Sequence, residues 1–115
     1  IIRKSVKIKG INLIRYKTDE SNIRILKILM DNIKQRSANS VIIILSSSEN
    51  PTVLCGITRD IQGRLDAKAV LNDLLSMVDG KGGGRRDLAQ GGFKNRENIN
   101  ILCKSLEEKI KRIIG

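Results

Sequence analysis

Val41-Ile42-Ile43-Ile44-Leu45 is an uninterrupted aliphatic run, β-branched at four of its five positions and with no polar residue inside it. A strand exposed on one face would alternate apolar with polar; a run without alternation is the signature of a central strand buried on both faces. Ser37-Ala38-Asn39-Ser40 breaks the chain before it, and Ser46 to Asn50 with Pro51 turns the chain after it. Thr52-Val53-Leu54-Cys55-Gly56-Ile57 then reads as its hairpin partner.

Beyond that hairpin, Leu65-Asp66-Ala67 starts a helix whose apolar residues Ala67, Val70, Leu71, Leu74, Leu75 and Val78 recur at helical spacing, with Gly80 placed as the left-handed closing residue. On the other side, Ser21 to Gln35 carries the stripe Leu26, Leu29, Met30 and Ile33, with Thr18-Asp19 as its cap and Glu20 in the first turn. Residues 6–17 alternate well enough for one strand, with Gly10 as a bulge or start. At the far end Asn95 caps a last helix with the stripe Ile99, Leu102, Cys103, Leu106, Ile110 and Ile113, and Lys104, Lys109, Lys111 and Arg112 outside. The 115 residues suit one core. The expectation is an α/β (α+β) fold: a single domain over 1–115, a mixed β-sheet with packed helices, in the order β-α-β-β-α-(loop-β)-α.

The parenthesis holds the most unusual segment, Asp79 to Phe93. Gly80, Gly82, Gly83, Gly84, Gly91 and Gly92 are six of the ten glycines in the chain. Glycine is costly to order, so a cluster reads as a loop kept for close approach to something. Lys81, Arg85 and Arg86 flank it, and successive N–H groups in a glycine turn form a nest for an anion. Asp87 to Gln90 reads as a short strand returning to the sheet, with Gly91-Gly92 its exit.

Twenty-two basic against twelve acidic residues give a net charge of +10, which points to a polyanionic partner. The charge is uneven. Residues 1–17 hold Arg3, Lys4, Lys7, Lys9, Arg15 and Lys17 without an acid; residues 80–96 hold Lys81, Arg85, Arg86, Lys94 and Arg96 against Asp87 alone. Tyr16 and Phe93 are the only aromatic residues, so stacking on unpaired bases gives way to recognition of backbone and shape. Cys55 and Cys103 read as small hydrophobes in a reducing compartment. No apolar run approaches the roughly 18 residues of a membrane span, no signal-peptide pattern opens the chain, and the expected location is cytoplasmic. The chain opens on Ile1, which reads as a piece of a longer protein.

Much chemistry is missing. With no histidine there is no Ser–His or Cys–His nucleophile pair and no imidazole metal site. The carboxylates are scattered, and Glu107-Glu108 sits on a helix as a solvated pair. The glycine stretch lacks the Gly-Lys-Ser/Thr of a P-loop. It also follows a helix rather than a strand, and Arg85 stands where a dinucleotide fingerprint needs its third glycine. Binding rather than catalysis is the expectation.

The string Gly80-Lys81-Gly82-Gly83-Gly84-Arg85, followed by Asp87, Ala89-Gln90 and Gly92, resembles the C-terminal domain of alanyl-tRNA synthetase. In that family the stretch runs Gly-Gly-Lys-Gly-Gly-Gly-Arg-Pro-Asp-Met-Ala-Gln-Ala-Gly-Gly. Here Asp79 replaces the first Gly, Arg86 the Pro, Leu88 the Met and Gly91 the Ala. The domain is also similar to the accessory domain of DHH phosphoesterases, whose glycine-rich loop carries a substrate-holding histidine where Arg85 stands.

The resemblance implies a C-terminal DHH-associated-type domain of a longer ATP-dependent alanine–tRNA ligase, itself non-catalytic, gripping the outer corner of tRNA to support aminoacylation and editing. It implies no cofactor in this fragment; ATP with Mg, and zinc in the editing domain, belong to the parent. The expected phosphate contacts are Lys81, Gly82, Gly83, Gly84, Arg85, Arg86 and Gln90, with Lys7, Lys9, Lys94 and Arg96 as an extended basic patch. The expected partners are tRNA and the other domains of the parent, with no membrane. Two rival readings stand beside it: a substrate-binding accessory domain of a DHH-type phosphoesterase, and a homodimerisation module with the terminal helix or the first strand as its seam.

Overall fold

A computed structural model of the chain describes residues 2–115. The aliphatic run forms β3 (Ser40–Ser46), every residue of it buried. Its neighbours are β2 (Ile11–Thr18), parallel to it, and β4 (Thr52–Ile57), antiparallel. The connection from β2 to β3 is α1 (Ile23–Gln35), as a parallel crossover requires. With β1 (Ile2–Ile8), β5 (Lys81–Gly84) and β6 (Leu88–Gly92) the described residues form a sheet of six strands in the order β1-β2-β3-β4-β6-β5. The expected mixed sheet with packed helices is what forms.

Alternation along β3 divides the core into two halves. Ile42 and Ile44 join Ile14 and Leu54 under Leu26, Met30 and Ile33 of α1. Val41, Ile43 and Leu45 join Leu13, Val53, Cys55 and Ile57 under α2 (Ala67–Leu75) and α3 (Ile99–Ile114). Each fully buried isoleucine contributes about 1.5–3 kcal/mol through burial alone. This is the largest physical reason β3 occupies the centre.

Several local expectations are corrected. Residues 6–17 are two strands, because Lys9 (φ 49°) and Gly10 (φ 83°) make a tight turn that pairs Ile8 with Ile11. This is a two-residue hairpin in which both central residues are left-handed, and Lys holds a position normally given to Asn or Asp. Thr18 ends β2 instead of capping α1. The cap is Asn22, whose side-chain oxygen accepts the Arg24 N–H at 2.9 Å.

Asp66 caps α2 in the expected place, accepting from the Lys68 N–H at 2.9 Å. The helix runs on into a 3-10 turn, Ser76–Val78, and its left-handed closing residue is Asp79 (φ 54°) rather than Gly80. Asp tolerates that conformation better than most side chains. Gly80 closes the end through its N–H to the Leu75 carbonyl at 2.9 Å. Asn95 caps the 3-10 turn Arg96–Asn98 that leads into α3, rather than α3 itself.

The glycine stretch is the main correction. It is a β-hairpin on the sheet, not a loop, and Gly91 and Gly92 lie inside β6. A Cβ on Gly82 would lie 2.7 Å from the Gln90 carbonyl oxygen, 2.8 Å from Gly91 Cα and 2.9 Å from Leu71 Cδ2. A Cβ on Gly91 would lie 2.5 Å from Leu75 Cδ1, and one on Gly80 would meet the Gly92 carbonyl and Leu75 at 2.8 Å. The glycines therefore let α2 sit directly on the hairpin backbone.

Candidate nucleic-acid interface

The two faces of the β5–β6 hairpin differ. Gly80 and Gly82 face Leu75 and Leu71 of α2, so Lys81 and Gly83 alternate toward the side on which α1 lies, and Arg85 shares a groove there with Lys27 of α1. On that side a Cβ added to Gly83 meets nothing within 4 Å. Gln90 stands directly across from Gly83 in the register, and Gly92 across from Lys81. The result is a flat, open floor with a cation at each end and an amide beside it.

Concave surface continues from that floor along the sheet. One groove is lined by Lys27 of α1 together with Gly83, Gly84, Arg85, Leu88 and Gln90. A second shares Gln90 and runs past Gly91 and Gly92 to Lys94, with Ile23 of α1 and Pro51 as its other wall. A third, beyond Asn50 and Thr52, reaches Arg96. Lys27 is not among the residues expected from sequence. It is one lysine on the outer side of a helix, and only the packing of α1 beside the hairpin brings it to the floor.

The arginines of the turn have different fates. Arg85 is 77% exposed and forms a pair with Asp87 at 3.4 Å; a surface pair of this kind is worth no more than about 1 kcal/mol and leaves the guanidinium free to exchange partners. Arg86 turns the other way. Its Nε donates to the Gln62 carbonyl at 2.8 Å, and its own carbonyl accepts the Ala67 N–H at 2.9 Å, satisfying one of the otherwise unpaired donors at the start of α2. Arg86 thus anchors the turn to α2.

Lys34 is a second residue that no sequence signal marks. At the end of α1 it donates to the Asp87 carbonyl at 2.9 Å and locks α1 to the same turn from the opposite face. Clamped from both sides, the turn holds Arg85 over the groove.

The nest expected from Gly82, Gly83 and Gly84 does not form, because these residues are extended. The Arg85 N–H donates to the Leu88 carbonyl at 2.8 Å, which marks that pair as hydrogen-bonded. Antiparallel alternation then bonds Gly83 to Gln90 and turns the amides of Gly82 and Gly84 to the open edge of the sheet.

Lys7 and Lys9 are not brought to this surface. They lie on and just after β1, at the opposite edge, five strand spacings or roughly 24 Å away, with α1 between. The two basic segments of the sequence are separate in space.

Comparison with known proteins gives the same relatives from sequence and from shape. The model of the DHHA1 domain matches residues 10–112. The chain is 34% identical over 104 residues to an alanine–tRNA ligase of Buchnera aphidicola, covering 90% of this chain and 12% of that protein. It is 35% identical over 107 residues to an alanine–tRNA ligase of Legionella pneumophila, covering 92% of this chain and 12% of that one. The chain therefore spans a small part of the curated relatives it matches. Among solved structures, the C-Ala domain of Aquifex aeolicus alanyl-tRNA synthetase superposes with a TM-score of 0.82 at 28% identity, covering 94% of this chain and 98% of that domain. A DHH-domain protein from a family of ribosomal proteins superposes at 0.66 with 14% identity, covering 98% of this chain and 28% of that one, a likeness of fold alone.

Proposed function

The chain belongs to the DHHA1 domain family, and on that premise we propose that it is the C-terminal module of an alanine–tRNA ligase, holding tRNA by its phosphates on the α1 side of the glycine hairpin. The observation that carries the proposal is the open floor at Gly83, set between Lys81 and Arg85 and walled by Lys27. Lys27, Lys81 and Arg85 neutralise backbone phosphates, Gln90 adds a hydrogen bond, and Lys94 extends the track. Such contacts fix where the RNA lies without reading its bases. The nearly complete superposition on a C-Ala domain supports this reading over that of a phosphoesterase accessory domain.

Zinc, one of the groups implied for the parent, does not fit the residues of this chain. There is no histidine, Cys55 is fully buried in the sheet, and Cys103 lies on α3. Alanine ligation and editing, with the zinc and ATP they use, are assigned to the parent's other domains.

The test is the triple variant Lys27→Ala, Lys81→Ala, Arg85→Ala, assayed for tRNA binding across a salt series and for thermal stability. Neutralising about four phosphates gives a slope of log K against log salt of about −3 to −4. The triple variant should flatten it to about −1 with an unchanged melt. A parent slope near zero, or a triple variant that binds as the parent does, would overturn the proposal.

A further inference from the structure

On the other face of the sheet, at the far edge from the glycine hairpin, lies a second cationic cluster. Lys4 of β1 and Arg15 of β2 are directly paired across the strands, and Lys17 follows two residues along β2 on the same face. Leu45 of β3, 2% exposed, makes the floor, and Cys103 of α3 closes one wall. Together they line a half-open cavity of about 190 Å³.

Three observations point to an anion as the ligand of this cluster. Like charges directly opposite on neighbouring strands are destabilising, and here a third cation adds to the pair. None of the ion pairs formed among the described residues uses Lys4, Arg15 or Lys17. Arg15 is also held in place: one terminal nitrogen donates to the Cys103 carbonyl at 3.0 Å. This leaves the rest of its five-donor fork free at the mouth of the cavity. The lining beneath is hydrocarbon, from Leu45 and the stems of the basic side chains.

We propose that Lys4, Arg15 and Lys17 form a phosphate-binding site, with the phosphate gripped at the rim and the less polar remainder of the ligand lying over Leu45. The chemistry is that of a phosphate ester, supplied by a free mononucleotide or by a phosphate of RNA. The site is independent of the hairpin surface, which faces away from it.

Cys103 reports on occupancy. It is partly exposed in the cavity wall, whereas Cys55 is 0% exposed and burial pushes its thiol up to about 12, so Cys55 stays silent. Alkylation of the chain by iodoacetamide is followed with inorganic phosphate, adenosine monophosphate or tRNA present, at ionic strength matched with sodium chloride. Saturable protection of Cys103 by at least fivefold is expected. Protection by phosphate alone assigns the site to the phosphoryl group. Protection by the nucleotide and not by phosphate adds the apolar floor, and protection by tRNA alone makes RNA the source.

Arg15→Gln should weaken the protecting ligand at least tenfold. Because Arg15 also ties β2 to α3, Lys17→Gln, which breaks no internal bond, should weaken it as well. The Lys27→Ala, Lys81→Ala, Arg85→Ala variant should keep the protection by inorganic phosphate or adenosine monophosphate, which separates this site from the hairpin. Absence of protection by all three ligands, or protection unchanged in Lys17→Gln, overturns the proposal.

Discussion

Gly82 and Gly83 are neighbours in one strand, yet replacing each by alanine should have opposite effects. At Gly82 the new methyl would stand 2.7 Å and 2.8 Å from backbone atoms of β6, which cannot rotate away, and 2.9 Å from Leu71 Cδ2. Relief requires β5 to move off β6 or α2 to lift from the hairpin, and overpacking of this kind costs about 1–3 kcal/mol. Alanine also narrows the unfolded ensemble, which returns about 0.4–1 kcal/mol. At the middle of these ranges the net loss for Gly82→Ala is about 1.3 kcal/mol. At Gly83 the methyl meets nothing and the backbone does not need a positive φ, so only the unfolded-state gain of about 0.4–1 kcal/mol remains. An unfolding entropy of about 2.1 cal/mol/K per residue makes 1 kcal/mol worth about 4 °C in a chain of this length. Thermal and urea melts should therefore place Gly82→Ala about 5 °C below the parent and Gly83→Ala level with it or up to about 4 °C above. If Gly82→Ala is as stable as the parent, or Gly83→Ala falls as far as Gly82→Ala, packing is not what keeps the hairpin glycines.

Lys9→Asn should raise stability by a few tenths of a kcal/mol, because Asn-Gly suits a turn with both central residues left-handed. It should leave tRNA affinity unchanged, since β1 lies at the far edge; a loss of affinity would return Lys9 to the binding surface. Asp60 accepts the Thr58 hydroxyl at 2.6 Å and the Asn39 N–H at 2.8 Å, and these bonds hold its carboxyl below the ordinary range. Its folded value is depressed, so its stabilisation is present above an unfolded value near 3.9 and is lost as pH falls through the folded value. Urea titrations below about pH 4 should show Asp60→Asn with a shallower acid loss than the parent, and equal slopes would refute it.

What can be read from the sequence follows from which signals carry their own periodicity. β3 and β4 are legible because a double-covered strand leaves no polar position, and the α2 start because Asp66 precedes a strict helical stripe. The hairpin at β5 is not, since glycine has no side chain to alternate. Its strand character comes from Leu71 and Leu75 pressing on its backbone, a tertiary fact. The break between β1 and β2 is hidden because Ile8 and Ile11 continue an apparent alternation across a two-residue turn. Site residues divide in the same way. Lys81 and Arg85 lie inside an unusual string and can be found, while Lys27 gains its place only from the α1–hairpin packing. Charge alone groups Lys7 and Lys9 with the patch, and strand order, which no local pattern encodes, separates them.

Nearly every glycine of the hairpin has an internal reason to be glycine. Gly80, Gly82 and Gly91 make room for α2, a Cβ on Gly84 would lie 2.5 Å from Ala89 Cα, and one on Gly92 would lie 2.9 Å from the Pro51 carbonyl oxygen. Gly83 has none: space, backbone and strand propensity would all accept a larger residue there. A β-branched side chain at 83 would even favour the strand. If glycine is kept at that position for a reason, the reason lies outside the folded chain, in something that must approach the backbone between Lys81 and Arg85. Gly83→Val is then the sharpest separation of fold from function available. The variant should melt at or above the parent temperature, because its side chain enters open space on an edge strand. It should bind tRNA at least tenfold more weakly, because that side chain stands where the phosphates pass. A Gly83→Val chain that binds as tightly as the parent would place the RNA elsewhere, whatever the charges around the floor.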